Sequence, residues 1–460
     1  MLTRRRFLQH SCSLGVASAT VTSSLLTLGL ARNAAAQAAP GYRALVCILL
    51  AGGNDSYNML VPTDNDQYDE YSAIRSDLAL PQASLLPLPG TTAAGRSYGL
   101  HPGMPELRDL YANGDAALIA NVGTLLEPFD LQAFEGGTAR LPLGLFSHAD
   151  QINQWQTAVP DARIAQGWGG RAADLLRDVN LANGVSMNIS LSGSNVFQNG
   201  AEVGEYSIEA KDDGAPGVNA YADGTDFGLL RQRMIDDLLN VRQANLFRRE
   251  YTQRLRNAID AQAVFVDAMQ TSPELTTVFS TNYFSRALRQ IARVIGARNA
   301  LGASRQTFFV TVGGWDHHDD VVENQAAMLP AISLGLSEFR NALTELAVFD
   351  QVTTFTSSDF GRTLTSNGKG SDHGWGGHHI AMGGAVEGGS IYGLYPTLSP
   401  SSPLDVGRGV YAPTTSVDEY FAELATWFGV PPSELDQVLP NVRSFYTPES
   451  AIPPVGFLSA

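Results

Sequence analysis

Short, nearly continuous apolar runs alternate with amphipathic stretches along most of the chain. The run at residues 42–50 ends at Gly52-Gly53, a pattern typical of a strand that is buried on both faces of a parallel sheet. Runs with the same character occur at 116–122, 306–312, 351–356 and 380–386. Apolar residues with helical spacing lie between them, for example at 104–111 and 326–347. The alternation predicts a doubly wound α/β fold, with a mostly parallel sheet and helices on both faces.

Two regions depart from this alternation. Residues 184–224 are rich in Gly, Asn and Ser and contain short alternating pieces, which predicts a small β-rich insertion. Residues 227–300 are amphipathic with very few glycines, which predicts two or three long helices forming a cap beside the sheet. Because predicted strands lie on both sides of these regions, we expect residues 39–460 to form a single domain with insertions.

The N-terminal segment has the order of an export signal. Thr3-Arg4-Arg5-Arg6-Phe7-Leu8-Gln9 is followed by an uncharged run at 11–31 and by small residues at 34–38. This order resembles a twin-arginine signal, which predicts removal of residues 1–38 and export of the folded protein to the periplasm or beyond by the twin-arginine machinery. The alternative is a membrane anchor. It is disfavoured because Ser, Thr and Gly dilute the apolar run, so we expect no stable anchor after cleavage.

Charge and cysteine content exclude several classes of protein. The chain has 30 Lys and Arg against 46 Asp and Glu, a net charge of -16, which disfavours a nucleic-acid partner. Its two cysteines, Cys12 and Cys47, cannot build a disulfide framework or a cysteine-based zinc cluster. Any metal must therefore be held by histidine and carboxylate side chains.

Five of the eight histidines are concentrated in two glycine-rich segments. His317 and His318 lie in segment 313–320, directly after a predicted strand, whereas His373, His378 and His379 lie in segment 371–379, directly before one. In open α/β sheets the carboxyl ends of the strands form the ligand crevice, so distant loops can meet there.

Aspartates accompany these histidines and follow the first strand. Asp55, Asp316 and Asp372 would repel one another in a shared crevice unless a cation lay between them. Imidazole and carboxylate ligands without a thiolate suit Zn²⁺, Mn²⁺ or iron better than Mg²⁺ or Ca²⁺. The sequence therefore predicts a metal site.

Five motifs along the chain resemble those of a known protein family. They are Gly52-Gly53-Asn54-Asp55, Ser147-His148, Gly313-Gly314-Trp315-Asp316-His317-His318, Asp359-Phe360-Gly361-Arg362-Thr363 and Asp372-His373-Gly374-Trp375-Gly376-Gly377-His378. In this order they resemble the domain-of-unknown-function 1501 family, whose members are similar to the alkaline phosphatase and sulfatase superfamily. The resemblance covers about 44–428. It implies an alkaline phosphatase-like fold and two divalent metals, most simply Zn²⁺, that act on a phosphate or sulfate ester.

The resemblance also implies a ligand set. Asp55, Asp372 and His373 would hold one metal, whereas Asp316, His318 and His378 would hold the other. His317 is the alternative to His318, and His379 is the alternative to His378.

No motif fixes the nucleophile. Ser147 precedes a predicted helix at 149–157, and such an N-cap position favours an alkoxide and an anionic substrate, whereas Ser56 is the alternative. Arg362 is a candidate substrate contact, with an ordinary ion pair as the alternative. The roles of two residues stay open. His148 is a candidate ligand, substrate contact or helix residue, and Asp359 is a candidate partner of a ligand or a helix cap. A formylglycine sulfatase is disfavoured because no Cys-x-Pro-x-Arg segment is present.

The sequence thus supports two hypotheses. The first is an exported metal-dependent hydrolase that cleaves a small-molecule or polysaccharide ester of phosphate or sulfate by a two-metal mechanism. The second is a non-catalytic, metal-containing binding or assembly protein of the cell envelope. Fold kinship alone does not decide between them.

Overall fold

The structure is a computed structural model. It describes residues 41–92, 95–180, 184–211, 221, 224–241, 243–399 and 401–459. The predicted signal peptide at 1–38 lies outside the described residues, so it stays a prediction. Within the described ranges, none of the helices is long and apolar enough to cross a bilayer.

Fourteen strands occur in the described part of the chain. They are β1 (Arg43–Ala51), β2 (Leu60–Pro62), β3 (Leu86–Pro87), β4 (Tyr98–Leu100), β5 (Ala116–Gly123), β6 (Asn188–Ser190), β7 (Tyr206–Ser207), β8 (Arg305–Gly313), β9 (Val352–Ser358), β10 (Arg362–Ser366), β11 (Ser371–His373), β12 (Gly377–Met382), β13 (Ile391–Tyr392) and β14 (Thr415–Ser416). Four of the five predicted apolar runs match their strands to within two residues at each end. The fifth strand, β12, ends four residues earlier than predicted.

Eleven α-helices occur in the same residues. They are α1 (Asn65–Arg75), α2 (Pro105–Ala112), α3 (Leu131–Glu135), α4 (His148–Thr157), α5 (Trp168–Leu176), α6 (Asp226–Asn240), α7 (Leu246–Met269), α8 (Tyr283–Gly296), α9 (Val321–Glu345), α10 (Val417–Phe428) and α11 (Leu435–Val438). The predicted helical region at 227–300 consists of α6, α7 and α8.

Nine strands form the main sheet, in the order β13-β5-β12-β9-β1-β8-β6-β7, with β14 paired to β5. All of its pairings are parallel except those of β12, which is antiparallel to both β5 and β9. The predicted β-rich stretch contributes β6 and β7, which extend one edge of this sheet. The mostly parallel sheet confirms the predicted fold class.

The apolar run of β1 is continuous because the strand is covered on both faces. Successive side chains of a strand point to opposite faces. Val46 and Ile48 pack in a core with α8 and α9, whereas Leu45 and Leu49 pack in a second core with α5 and α10. Helices therefore cover both sides of the sheet, as the sequence predicted.

The reversed direction of β12 determines where its preceding segment lies. The carboxyl ends of β1, β8 and β9 share one edge because these strands are parallel. Since β12 runs the opposite way, its first residue lies at that same edge. The hairpin of β10 and β11 pairs Arg362 with His373 and leads into β12. It therefore lies at the same edge as the loops that follow β1 and β8.

Candidate metal centre

Three imidazoles and one carboxylate converge at this edge of the sheet. Nε2 of His373 lies 3.0 Å from Nε2 of His148 and 3.0 Å from Nε2 of His318. Oδ1 of Asp316 lies 3.1 Å from Nε2 of His318 and 3.5 Å from Nε2 of His373, and its Oδ2 lies 3.5 Å from Nε2 of His148. Ligands about 2.0–2.1 Å from a tetrahedral Zn²⁺ lie roughly 3.3–3.4 Å from one another. These five separations bracket that spacing, and the ligand atoms of His148, Asp316 and His373 all lie within 4.8 Å of one another.

Each of the three imidazoles has an oxygen partner at its other nitrogen. Nδ1 of His148 lies 2.6 Å from Oδ2 of Asp359, and Nδ1 of His373 lies 2.8 Å from the carbonyl oxygen of Phe146. Nδ1 of His318 lies 3.3 Å from Oδ1 of Asp372. A carbonyl or carboxylate oxygen only accepts, so each Nδ1 has a partner to which it can donate a proton.

A tautomer with the proton on Nδ1 has a direct consequence for the centre. In a neutral imidazole whose Nδ1 is protonated, Nε2 carries a lone pair. In that tautomer the three imidazoles present lone pairs beside a carboxylate, an arrangement that a cation stabilises and that is typical of histidines bound to a metal through Nε2.

The pKa shifts of His373 and Asp316 also favour a metal at this centre. Burial lowers the pKa of His373, and the positive charge of Arg362 lowers it further, against the hydrogen bond to Phe146, which raises it. Partial burial raises the pKa of the Asp316 carboxyl, but the hydrogen bond and charge of Arg362, with smaller effects of His148 and His318, hold it below its usual value. A neutral imidazole and an ionised carboxylate are the forms that bind a metal.

Tight backbone contacts hold Asp316 in place. Gly52 follows β1 with a φ of 120°, and a Cβ atom there would lie 2.5 Å from the backbone nitrogen of Asp316. Arg362 is buried beneath both segments. It donates to the carbonyl oxygens of Gly52, Gly53 and Ser371 and to Oδ1 of Asp316.

The centre is open to solvent on one side. The side chains of the three histidines and Asp316 are between 25% and 48% exposed. A cleft of about 500 Å³ adjoins them, lined by His318, Asp372 and His373, by apolar side chains and by Arg408. Phe134, Phe146, Val406 and Val410 supply the apolar part. A substrate can therefore reach the convergent Nε2 atoms.

Comparison with known families identifies part of the chain. A family model described as "Protein of unknown function (DUF1501)" matches residues 222–435. Over this segment the chain is similar to the DUF1501 family. The match confirms the resemblance seen in the sequence, and it includes Asp316, His318 and His373 but not His148. No curated protein has a significantly similar sequence.

Three solved structures have weak overall similarity to the chain. The crystal structure of Ps i-CgsB in complex with k-i-k-neocarrahexaose is 11% identical and has a TM-score of 0.33, and the match covers 85% of this chain and 72% of that one. The PsFucS1 sulfatase from Pseudoalteromonas sp. is 10% identical with a TM-score of 0.32, over 80% and 67%. The zinc complex of the C-terminal periplasmic domain of EcEptC from Escherichia coli is 11% identical with a TM-score of 0.32, over 92% and 93%.

The structure places the predicted ligands in three groups. Asp316, His318 and His373 meet at the convergent centre. Asp372 lies directly behind them, where its Oδ1 accepts from His318 and its Oδ2 lies 2.5 Å from Nη2 of Arg408. Asp372 therefore contacts His318 at Nδ1, away from the convergent Nε2 atoms.

Asp55 and His378 lie outside the convergent set. The Asp55 carboxylate is fully buried, and its Oδ2 lies 2.7 Å from Nη2 of Arg75 and accepts from Ser371. His378 is enclosed by tyrosine rings and accepts from the backbone N–H of Asn121, and burial lowers its pKa to about 3. Asp55 is neutralised by an arginine, so the arrangement does not support it as a ligand of a second metal.

The alternative histidines are buried elsewhere. His317 packs near Trp315, and burial lowers its pKa. His379 contacts the Trp155 ring, and burial lowers its pKa to about 3. Of the two neighbouring pairs, His318 is therefore the member that reaches the centre, whereas neither His378 nor His379 does so.

Arg362, the candidate substrate contact, forms the ion pair that was its alternative role. Its side chain is fully buried, and its donors are occupied by carbonyl oxygens and by Asp316. It positions a ligand and cannot also bind a substrate in the cleft. Arg408, whose side chain is 76% exposed, is the arginine that lines the cleft.

The two candidate nucleophiles differ in surroundings. Ser147 is the N-cap of α4, as predicted, where its Oγ accepts from the backbone N–H of Asp150, and it directly precedes His148. Ser56 is buried, and its Oγ accepts from the backbone N–H of His378. The position of Ser147 beside a convergent histidine favours it over Ser56. The sequence left His148 open, although its Ser147-His148 motif had already marked the position.

Proposed function

We propose that this protein is an exported metal-dependent hydrolase of phosphate or sulfate esters, in which His148, His318, His373 and Asp316 hold one divalent cation. The observation that carries the proposal is the convergence of three Nε2 atoms on one carboxylate. Three histidines and a carboxylate suit Zn²⁺ best, with Mn²⁺ and iron as alternatives. Export rests on the N-terminal sequence alone.

The proposal has one metal where the sequence predicted two. The residues predicted for two separate sites supply three ligands to a single centre, and His148 supplies the fourth. Among the described residues, Asp55 and His378 have other partners.

A divalent cation bound here would act as a Lewis acid and lower the pKa of an attacking hydroxyl or water. The chain supplies the other functions. Asp359, Asp372 and the carbonyl oxygen of Phe146 fix the orientation of the three imidazoles. Arg362 keeps the Asp316 carboxylate ionised and in place.

The cleft indicates the class of substrate. Arg408 offers an exposed guanidinium that can pair with a phosphate or sulfate group. The apolar side chains opposite it can pack against the organic part of an ester. These features support an anionic ester with an apolar or flat face, such as an aryl ester or a sugar.

Ser147 is the proposed nucleophile, and its capping role can be separated from its chemistry. Ser147→Asn keeps a side-chain acceptor for the N-cap but removes the hydroxyl, whereas Ser147→Ala removes both. If Ser147 attacks the ester, both variants lose turnover, and only Ser147→Ala loses about 1 kcal/mol of stability. Turnover that survives in Ser147→Asn would exclude Ser147 as the nucleophile.

The central test measures metal and activity together. Purified protein should contain one zinc per chain by elemental analysis and hydrolyse an aryl phosphate or aryl sulfate. His373→Ala should lose both, whereas His379→Ala, which removes a buried histidine outside the centre, should keep its metal. One metal without turnover on a broad ester panel would favour the binding or assembly role. Protein without metal would remove the proposed centre.

A further inference from the structure

The exposed apolar side chains are concentrated in one part of the molecule. Of the 18 large hydrophobic side chains exposed in the described part of the chain, nine lie between residues 227 and 251, on α6, at the turn after it and on the first part of α7. Phe227, Met234 and Leu238 are 67%, 59% and 66% exposed. Monomeric proteins seldom expose a contiguous apolar patch of this kind without a binding role.

The α6 residues form a stripe along one face of the helix. Phe227, Leu230, Met234 and Leu238 follow one another at spacings of three, four and four, and Val241 follows three residues later, directly after the helix ends. Such spacing places side chains on one helical face. The opposite face contacts α7, where Asp236 on α6 lies 2.8 Å from Arg256. The stripe is therefore directed away from the other residues that the structure describes.

The spacing of the stripe is symmetric about Met234. Its members lie four residues on either side, at Leu230 and Leu238, and seven residues on either side, at Phe227 and Val241. A second α6 packed antiparallel, with Met234 on the two-fold axis, brings Leu230 against Leu238 of the other copy and Phe227 against its Val241. The stripe is thus complementary to itself, as an isologous interface requires.

The charges beside the stripe suit the same arrangement. Arg233 and Asp237 lie on one side of it, one turn apart, so antiparallel pairing places Arg233 of one copy beside Asp237 of the other. The helix carries both signs of charge in nearly equal number, unlike the basic helices that bind anionic membranes. A second copy of this chain is therefore the occupant that the surface favours.

We propose that α6 is the centre of a homodimer interface, formed by antiparallel packing of its apolar stripe around Met234. Leu246, Phe247 and Tyr251 at the start of α7 are also exposed and extend the apolar surface beyond α6. A 15-residue helix is only about 22 Å long, which favours an interface near the small end of the specific range and a dimer of micromolar affinity. The inference does not depend on the proposed hydrolase activity.

The test uses the residue on the two-fold axis. Sedimentation velocity of the full chain, from nanomolar to high micromolar concentration, should detect a reversible dimer. Met234→Lys and Met234→Glu should each raise the dimer dissociation constant at least about tenfold, because like charges then face each other across the axis. An equimolar mixture of the two variants should recover the dimer, since opposite charges meet.

The control is Ile452→Lys, which charges an even more exposed apolar residue in the C-terminal loop and should leave the dimer unchanged. Recovery in the mixture distinguishes a second copy from any other occupant, because only a two-fold contact pairs residue 234 with itself. A wild-type chain that stays monomeric at every concentration overturns the proposal. So does a dimer that both variants leave intact, or one that the mixture does not restore.

Discussion

The Asp359 carboxylate offers the sharpest test of the centre, because it contacts no proposed ligand atom directly. Its Oδ2 lies 2.6 Å from Nδ1 of His148, and its Oδ1 accepts the backbone N–H of Gly52 at 3.0 Å. Asp359→Asn leaves only one acceptor for these two donors. If the amide NH₂ faces His148, the imidazole proton moves to Nε2 and removes the lone pair that would bind a metal. If the amide oxygen faces His148, the Gly52 N–H loses its partner at a cost of roughly 1–3 kcal/mol.

The size of the effect follows from burial. Partners of metal-bound histidines typically contribute about 10–100-fold in metal affinity, or about 1.4–2.7 kcal/mol. Asp359 is 1% exposed, so water cannot replace it, and we expect the upper end of that range. Asp372→Asn is the matched comparison. It acts on His318 over a longer contact, at 3.3 Å, and is 31% exposed, so we expect a loss of about tenfold or less.

Competition for zinc against a chelator of known affinity measures both variants, and circular dichroism checks that they are folded. Asp359→Asn should bind zinc more weakly than Asp372→Asn, which should bind more weakly than the wild type. Zinc affinity of Asp359→Asn within twofold of wild type, or a larger loss in Asp372→Asn, would refute the assignment of His148 as a ligand.

Two further predictions concern the cleft and the core. In initial-rate measurements, Arg408→Ala should raise KM for an anionic ester more than it lowers kcat. The control is Arg443→Ala, which removes an exposed arginine paired with Asp436 and Glu449 and should change neither constant. Burial raises the pKa of the Asp418 carboxyl to about 7, so the folded state binds more protons than the unfolded state between about pH 4 and 7, and stability falls as the pH rises through that window. Asp418→Asn should therefore exceed the wild type by only about 1 kcal/mol near pH 4.5 and by up to about 4 kcal/mol at pH 8 in denaturant unfolding, and equal differences at both pH values would contradict this.

The sheet was predictable because its strands are buried on both faces. A strand of that kind needs apolar side chains at successive positions, so the run at 42–50 is visible in the sequence without any knowledge of its neighbours. Strand direction is not encoded in this way. An apolar run has the same pattern in either direction, so only the structure shows that β12 is antiparallel to β9. This direction brings His373 to the edge formed by the carboxyl ends of β1, β8 and β9.

The centre was predictable as a region but not atom by atom. The histidine-rich segments and their aspartates indicated a metal site, because those residue types are rarely gathered in loops without a role. Which of them face one another depends on tertiary contacts. Asp55 is paired with Arg75, and Arg362 is buried beneath Asp316. Nothing local in the sequence distinguishes a buried arginine from one that lines a cleft, so the sequence could not show that Arg408 lines the cleft and Arg362 does not.

The four convergent side chains come from positions as far apart as His148 and His373, on a helix, a loop and a hairpin. An unfolded chain has no such gathering, so capture of an ion must wait until the tertiary architecture is complete. A polypeptide that folds before translocation, as its first residues predict, would consequently acquire its ion in the cytosol. The metal pool of that compartment, together with the ligand set, would then determine which element occupies the proposed centre.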